Sequence, residues 1–396
     1  MFASDINGRT PLRASRLALS LARDLALMRA CGSPEAPATL FSTRHAAPGG
    51  TAMQSCSRCI LSDKYPDLTF DSDGVCGKCQ EHDRKYATRD FGALRAELNG
   101  IVDWAKRQNK QYDCLVPFSG GKDSSYTLYV CRKQLGLRVL AVNFNNGLRT
   151  PEALTNIDHI THITDTAYAC YGPPWETMRK LYRAFLLATG QFCFPCDMGI
   201  WKTVHRMAEQ YDVPLIVSGF SAQIESRGPK IYSYSNTLFR KIASPVVTED
   251  EMQDFLQITS RDKIALRLKH ARVTRARRQI SLPDYIPWVD AEIKRVIGEE
   301  LGWRPRADGS SDHIDCWFAP MKGYLNIQKW GFGEKTTKYA AMARAGQITR
   351  EEALARAHAD ETRPVDDALA LFRERLGLTE RDVADARNKS HLEFLH

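Results

Sequence analysis

The string Ser119-Gly120-Gly121-Lys122-Asp123-Ser124 stands between an apolar run, DCLVPF at 113–118, and a helical run that begins near Ser125. Two successive glycines let a backbone pass close to an anion and turn its N–H groups toward it, and the following helix adds the positive end of its dipole. Lys122 brings a point charge, and the hydroxyls of Ser119 and Ser124 bring donors. The plain alternative is a polar strand-to-helix turn. It is not the common GxxxxGK[ST] loop, because the spacing from glycine to lysine is wrong and no such string occurs elsewhere.

Cysteines form the second pattern. Cys56-Ser-Arg-Cys59 and Cys76-Gly-Lys-Cys79 are separated by sixteen residues, a spacing within the range of a four-thiolate Zn2+ site. Two residues between thiols let one tight turn direct both sulfurs at one ion, with Gly74 and Gly77 allowing each knuckle to curl. So short a module buries little apolar surface, so its folding energy comes from the metal. A closed four-cysteine shell leaves no position for substrate, which makes the expected role structural. Four unrelated buried thiols are the alternative.

Elements of two kinds must position these groups. Strands are expected at 113–118, 138–144 and 214–220, and helices at 125–135, 175–189 and 195–211. Strand and helix in that alternation imply an α/β fold, a parallel sheet covered by helices, with ligands at the carboxyl ends of the strands. The sheet signal fades after Gly219, and the tail from Lys335 reads as helices broken at Gly346, Pro364 and Gly377. The expected organisation is an extension at 1–52, a zinc-ribbon-like cysteine module at 54–90 and a connecting helix at 91–110. A nucleotide domain at 111–245 and a mainly helical substrate or partner region at 246–396 complete it.

Composition limits the classes further. With 396 residues, 43% hydrophobic and 26% charged, the chain can bury a sizeable core, which argues against disorder, collagen and coiled coil. No stretch has the ~18 uninterrupted apolar residues of a membrane helix, so a soluble, cytoplasmic protein without a membrane partner is expected. Lys plus Arg number 55 against 47 Asp plus Glu, a net +8 that favours an anionic partner. Part of that excess lies in 261–278, where eight Lys or Arg face the single acid Asp262; a solvated helix face and a phosphate or nucleic-acid surface are both open. Eleven cysteines without a secretory leader suggest metal or thiol chemistry in a reducing compartment. Residues 1–52 are rich in Arg and poor in acids, as transit peptides are, or else a dispensable extension ahead of a start at Met53.

The SGGKDS string resembles the signature of the PP-loop ATP pyrophosphatases. That resemblance implies a Rossmann-like domain that cleaves ATP between its α and β phosphates and adenylates a substrate oxygen. Ser119, Gly120, Gly121, Lys122, Asp123 and Ser124 would hold the pyrophosphate, Asn143, Phe144 and Gly219 would lie near the nucleotide, and Mg2+ would screen the triphosphate. From Cys56 to about Ala357 the chain is further similar to the N-acetyl sugar amidotransferase family of surface-polysaccharide (LPS) biosynthesis. The shared strings are CSRC with FDSDGVCGKC, YDCLVPFSGGKDS, FCFPCDMG, DHIDCW, GYLNIQKWGFGEKT and GQITREEA. The chain has no GxCxG nucleophile elbow and neither Met1 nor Met53 exposes an N-terminal cysteine, so ammonia would come from a separate glutaminase subunit. The acceptor would be a nucleotide-linked sugar, and a homo-oligomer is compatible with this.

Cys193-Phe-Pro-Cys196 also resembles a pair in tRNA-thiolating PP-loop enzymes, which hold an Fe–S cluster or carry persulfide sulfur. Cys316 would then be the third thiolate, leaving one iron open for sulfide. Such an ATP-dependent sulfurtransferase, with tRNA, a nucleobase or a small molecule as acceptor, is the rival function, and only there is nucleic acid a partner. Packing at a helix start beside Pro195 and a second metal site are further alternatives for the pair. Candidate catalytic residues are therefore Lys122, Asp123, Ser124, Cys193 and Cys196. A nucleotide-binding scaffold without turnover is a third class. His159 and His162 read as strand-edge or surface histidines, Trp317 and Trp330 as core aromatics, and Cys114 and Cys131 as packing residues. Asp312, His313 and Asp315 beside Cys316 could act in acid–base chemistry or as local caps.

Overall fold

Short apolar runs alternate with longer amphipathic ones through the middle of the chain, and the computed structural model builds from them one helix-covered sheet. It describes residues 54–86, 88–223, 235–256, 277–306 and 314–389. Strands β1 (Cys114–Pro117), β2 (Val139–Phe144), β3 (Ala167–Tyr171), β4 (Leu215–Ser218) and β5 (Arg278–Ser281) lie in the order β3-β2-β1-β4-β5. All neighbours are parallel. Central parallel strands need cover on both faces. Along β1 the side chains alternate between the two covers. Cys114 and Val116 share a core with Leu128 and Ile293, whereas Leu115 shares one with Val204, Met207 and Ala208.

Helix α1 (Gly77–Tyr86) ends the cysteine module, and α2 (Phe91–Arg107) starts at Asp90, whose carboxylate accepts from the N–H groups of Gly92 and Ala93. Helix α3 (Lys122–Tyr129) follows β1 and runs on as a π-helical turn, Val130–Gln134. Thr150 and Pro151 start α4 (Pro151–Ile163), with the Thr150 hydroxyl accepting from the N–H of Ala153. Helices α5 (Trp175–Thr189) and α6 (Phe194–Gln210) follow β3, and α7 (Asn236–Ala243) and α8 (Glu249–Met252) follow β4. After β5 comes α9 (Asp290–Leu301), then α10 (Ala319–Trp330), α11 (Glu334–Arg344), α12 (Arg350–Glu361), α13 (Asp366–Leu376) and α14 (Glu380–Asn388). A second core of aromatic rings, including Tyr182, Phe185, Phe192, Phe318 and Phe372, joins α5 to α10 and α13.

The strands expected around 113–118, 138–144 and 214–220 appear as β1, β2 and β4, and the helical tail breaks where Gly346, Pro364 and Gly377 interrupt it. Three features differ from the sequence reading. The sheet does not end at Gly219, because β5 pairs with β4 from Leu215 with Arg278 to Ser218 with Ser281. This edge strand, Arg-Gln-Ile-Ser, has four residues and little apolar patterning. Edge strand β3 is likewise half exposed and carries no buried-strand signal. His159 and His162 are exposed, as the surface reading has them, but they sit on α4 and not at a strand edge, because the Thr-Pro start commits that segment to a helix. Residues 1–53, most of the basic run at 261–278, Asp312, His313 and the stretch beyond Gln223 lie outside the described residues. Among the described residues no helix is long and apolar enough to cross a membrane.

Helix α6 packs on β2 through a glycine. A Cβ at Gly199 would stand 2.4 Å from Cζ of Phe144. Gly199→Ala is therefore expected to destabilise the fold by about 1–3 kcal/mol. A shifted denaturant midpoint with unchanged slope would show this, and an unshifted midpoint would contradict it.

Candidate phosphate loop and cysteine sites

Strand β1 has β2 on one side and β4 on the other, so the connections leaving its neighbours diverge at its carboxyl end. This is the switch point at which open parallel sheets form a crevice. Residues 119–124 lie there. Gly120 has φ +80°, and a Cβ on it would stand 2.4 Å from the carbonyl oxygen of Ala153. The Gly120 carbonyl accepts from Trp303 Nε1 at 3.0 Å and Asn156 Nδ2 at 3.3 Å, which fixes the turn from behind. Gly121 is the N-cap of α3 and offers no side-chain acceptor, so first-turn amides remain for an incoming anion. The hydroxyls of Ser124 and Ser125 donate to the Gly121 carbonyl at 3.0 and 2.8 Å, and the Gly121 N–H donates to Ser119 Oγ at 3.4 Å.

Lys122 is almost fully buried and its ammonium pairs with Asp123 and, at 3.1 Å, with Asp290. Trp288 Nε1 donates to Asp123 Oδ1 at 3.2 Å. Burial opposes ionisation of Asp290, but Lys122, Lys338 and Lys294 outweigh it and hold that carboxyl well below the usual carboxylate range. Asp315 also lies at the loop, with Oδ2 3.8 Å from the position a Gly121 Cβ would take. Trp288, Asp290 and Trp303 carry no motif that marks them as partners of the loop. Their signal in the sequence is only a Trp and an Asp close together, in YIPWVD.

The three strand-end residues behave differently. Asn143 is buried, donates to the Phe118 carbonyl at 2.9 Å and accepts from Arg149 Nη1 at 3.3 Å, so it ties the end of β1 to an arginine beside the crevice. Gly219 abuts α3, since a Cβ there would lie 2.7 Å from the Asp123 carbonyl oxygen. The Phe144 ring belongs to the aromatic core, at 6.5 Å from Phe255, so its side chain supports the sheet.

Cys193 is the N-cap of α6 and Cys196 lies in its first turn, while Cys316 precedes α10. The turn after β2 gathers them. Asn146 Nδ2 donates to Cys196 Sγ at 3.7 Å, the Trp317 N–H donates to the Leu148 carbonyl at 2.9 Å, and Tyr182 Oη donates to the Asn146 carbonyl at 3.1 Å. Burial, with smaller contributions from neighbouring carboxylates and thiols, pushes all three thiols up. They are partly buried and pack against the aromatic cluster. Trp317 and Trp330 are partly buried at the edges of their clusters, and Cys114 and Cys131 are fully buried.

Among the described residues one set of three or more potential ligands converges within 4.8 Å, and it is Cys56, Cys59, Cys76 and Cys79. Its sulfurs lie 3.9 Å apart for Cys56 with Cys79 and 3.7 Å for Cys59 with Cys76. A tetrahedron of Zn–S bonds near 2.3 Å requires about 3.8 Å. The N–H groups of Arg58, Cys59 and Cys76 aim at Cys56 Sγ at 3.3–3.4 Å, as donors to a thiolate do. Buried Arg344 reaches toward Cys59 Sγ at 3.9 Å. These four residues fit zinc. By the same measure Cys193, Cys196 and Cys316 are too widely spread to converge on a single ion.

A family model described as the C-terminal domain of WbpG-like LPS biosynthesis proteins matches residues 311–396. An uncharacterized protein of Methanocaldococcus jannaschii is 28% identical over 107 residues, which are 27% of this chain and 38% of that protein. Among solved structures, an NH3-dependent NAD synthetase from Campylobacter jejuni in complex with nitrate is similar at 13% identity and a TM-score of 0.28, over 55% of this chain and 99% of that one. An NMN synthetase from Francisella tularensis is similar at 10% identity and a TM-score of 0.29, over 55% and 98%. Likenesses this distant bear no weight for the activity of this chain.

Proposed function

We propose that the chain is the adenylating subunit of an ATP-dependent amidotransferase in surface-polysaccharide synthesis. A carboxyl- or carbonyl-derived oxygen of a nucleotide-linked sugar attacks the α phosphorus of ATP, the α–β bond breaks, and its electron pair leaves with pyrophosphate. Ammonia from a partner glutaminase then attacks the activated carbon, and AMP departs with the oxygen. Adenylation is needed because a carboxylate oxygen is a very poor leaving group. One observation carries the proposal, the glycine turn and uncapped helix start lying where the sheet divides. The match of residues 311–396 to an LPS-biosynthesis domain supports the acceptor class.

In this reading Ser119, Gly120, Gly121 and Ser124 turn donors toward the β and γ phosphates. Asp123 and Asp315 are the carboxylates that would hold Mg2+, which lowers the charge of the triphosphate. The zinc module stays outside the chemistry and braces α11 and α12.

The contacts of Asn146 with Cys196 and of Trp317 with Leu148, which bring Cys193, Cys196 and Cys316 to the turn after β2, favour a second reading, ATP-dependent sulfur transfer. Labelled ammonia and labelled sulfide, offered with ATP and candidate acceptors, separate the two. Ammonia incorporation is expected. Sulfide uptake with indifference to ammonia, together with iron bound after anaerobic purification and lost in Cys193→Ser, would replace the first reading by the second.

A further inference from the structure

Asp290 is the first residue of α9, is 6% exposed, and collects three ammonium groups. Lys122 of the loop and Lys338 of α11 both lean on Oδ1, at 3.1 and 3.5 Å, and Lys294 contacts Oδ2 at 2.7 Å. The backbone holds Asp290 in place, since its N–H donates to Gln347 Oε1 at 3.2 Å and Gln347 Nε2 donates to the Trp288 carbonyl at 2.9 Å. Trp288 in turn bonds Asp123. Among the described residues Lys122, Lys294 and Lys338 thus gather on Asp290, and Lys122 also pairs with Asp123, beside the start of α3. Two ammonium groups that share one carboxylate oxygen lie close enough together for one multiply charged anion to bridge them.

We propose that Asp290 is a positioning residue that holds Lys122 and Lys338 side by side as a clamp for diphosphate, so that the C-terminal helices contribute a cation to the phosphate site. Lysine suits this role as a compact point charge that can exchange a carboxylate oxygen for a phosphate oxygen. Asp290 touches no substrate. The inference rests on the adenylating function and deepens it.

Calorimetric titration of inorganic pyrophosphate, and separately of AMP, into the full chain tests the clamp. The wild type is expected to bind both. Lys338→Met and Asp290→Asn are each expected to weaken pyrophosphate about tenfold, with AMP affinity within about twofold of wild type. Asp290→Glu should restore most of the loss, which a purely structural role would not predict. Thermal unfolding checks the fold of each variant, and Lys338→Met decides alone if Asp290→Asn does not fold. Unchanged pyrophosphate affinity in folded variants overturns the clamp and leaves adenylation standing. A wild type that neither binds pyrophosphate nor releases AMP overturns both.

Discussion

Cys59→Ser, or removal of zinc by a chelator, is expected to unfold the cysteine module and to cut ATP turnover at least tenfold, although the module touches no nucleotide. The four thiols are fully buried, and the hydrophobic groups around them, Ile60, Leu61 and Tyr65, pack on Phe332, Ala340, Ala353 and Ala357 of the C-terminal region. Structural zinc sites contribute about 10–16 kcal/mol of apparent binding energy, which such a module has no other means to replace. Arg350 Nε donates to the carbonyls of Cys56 and Cys59 at 3.1 and 3.0 Å, and Arg344 reaches the Cys59 sulfur. Arg344 ends the same helix, α11, that carries Lys338 to Asp290. Loss of the knuckles therefore loosens the helix that supports the phosphate loop. Metal content, thermal unfolding and AMP formation measured together decide the point. An apo protein with an unchanged unfolding temperature and full turnover would show that the cluster is dispensable.

Gly120→Ala is expected to destabilise the protein by about 2–4 kcal/mol and to lower pyrophosphate affinity by more than tenfold. Two costs add at this residue. Its φ of +80° is one that L side chains rarely adopt, and the new methyl would meet the Ala153 carbonyl oxygen at 2.4 Å and Ile157 Cγ1 at 3.0 Å. Relief requires the turn to move, and with it the first amides of α3. At Gly121 the methyl would meet nothing closer than Ser119 Oγ at 3.3 Å, and φ there is −75°. Gly121→Ala is accordingly expected to fold within about 1 kcal/mol of wild type. Equal stability of the two alanine variants in denaturant would contradict this account of the turn.

The parts of the site that are contiguous in sequence were legible there. The pairs Cys56/Cys59 and Cys76/Cys79 converge because local turns direct each pair, and the glycines of 119–124 lie where a strand must turn into a helix. The long-range parts were not. Asp290 reaches Lys122 only because α9 packs across α3, and Trp303 reaches the Gly120 carbonyl from 183 residues away. Nothing in a linear pattern announces a buried carboxylate shared by lysines. Phe144 shows the converse, a strand-end position whose side chain turns inward because the next layer offers Gly199 and Phe255. Edge strands β3 and β5 escaped notice because an edge needs less apolar cover than a centre.

The central claim is that the turn after β1 grips diphosphate while AMP is mounted on an acceptor. ATP labelled at the α or the γ phosphate, incubated with the chain, Mg2+, ammonia and a panel of nucleotide-linked sugars, tests it most directly. Labelled AMP and labelled pyrophosphate are predicted, with formation of both reduced in Gly120→Ala. ADP and orthophosphate as the sole products, with AMP absent for every acceptor, would contradict it.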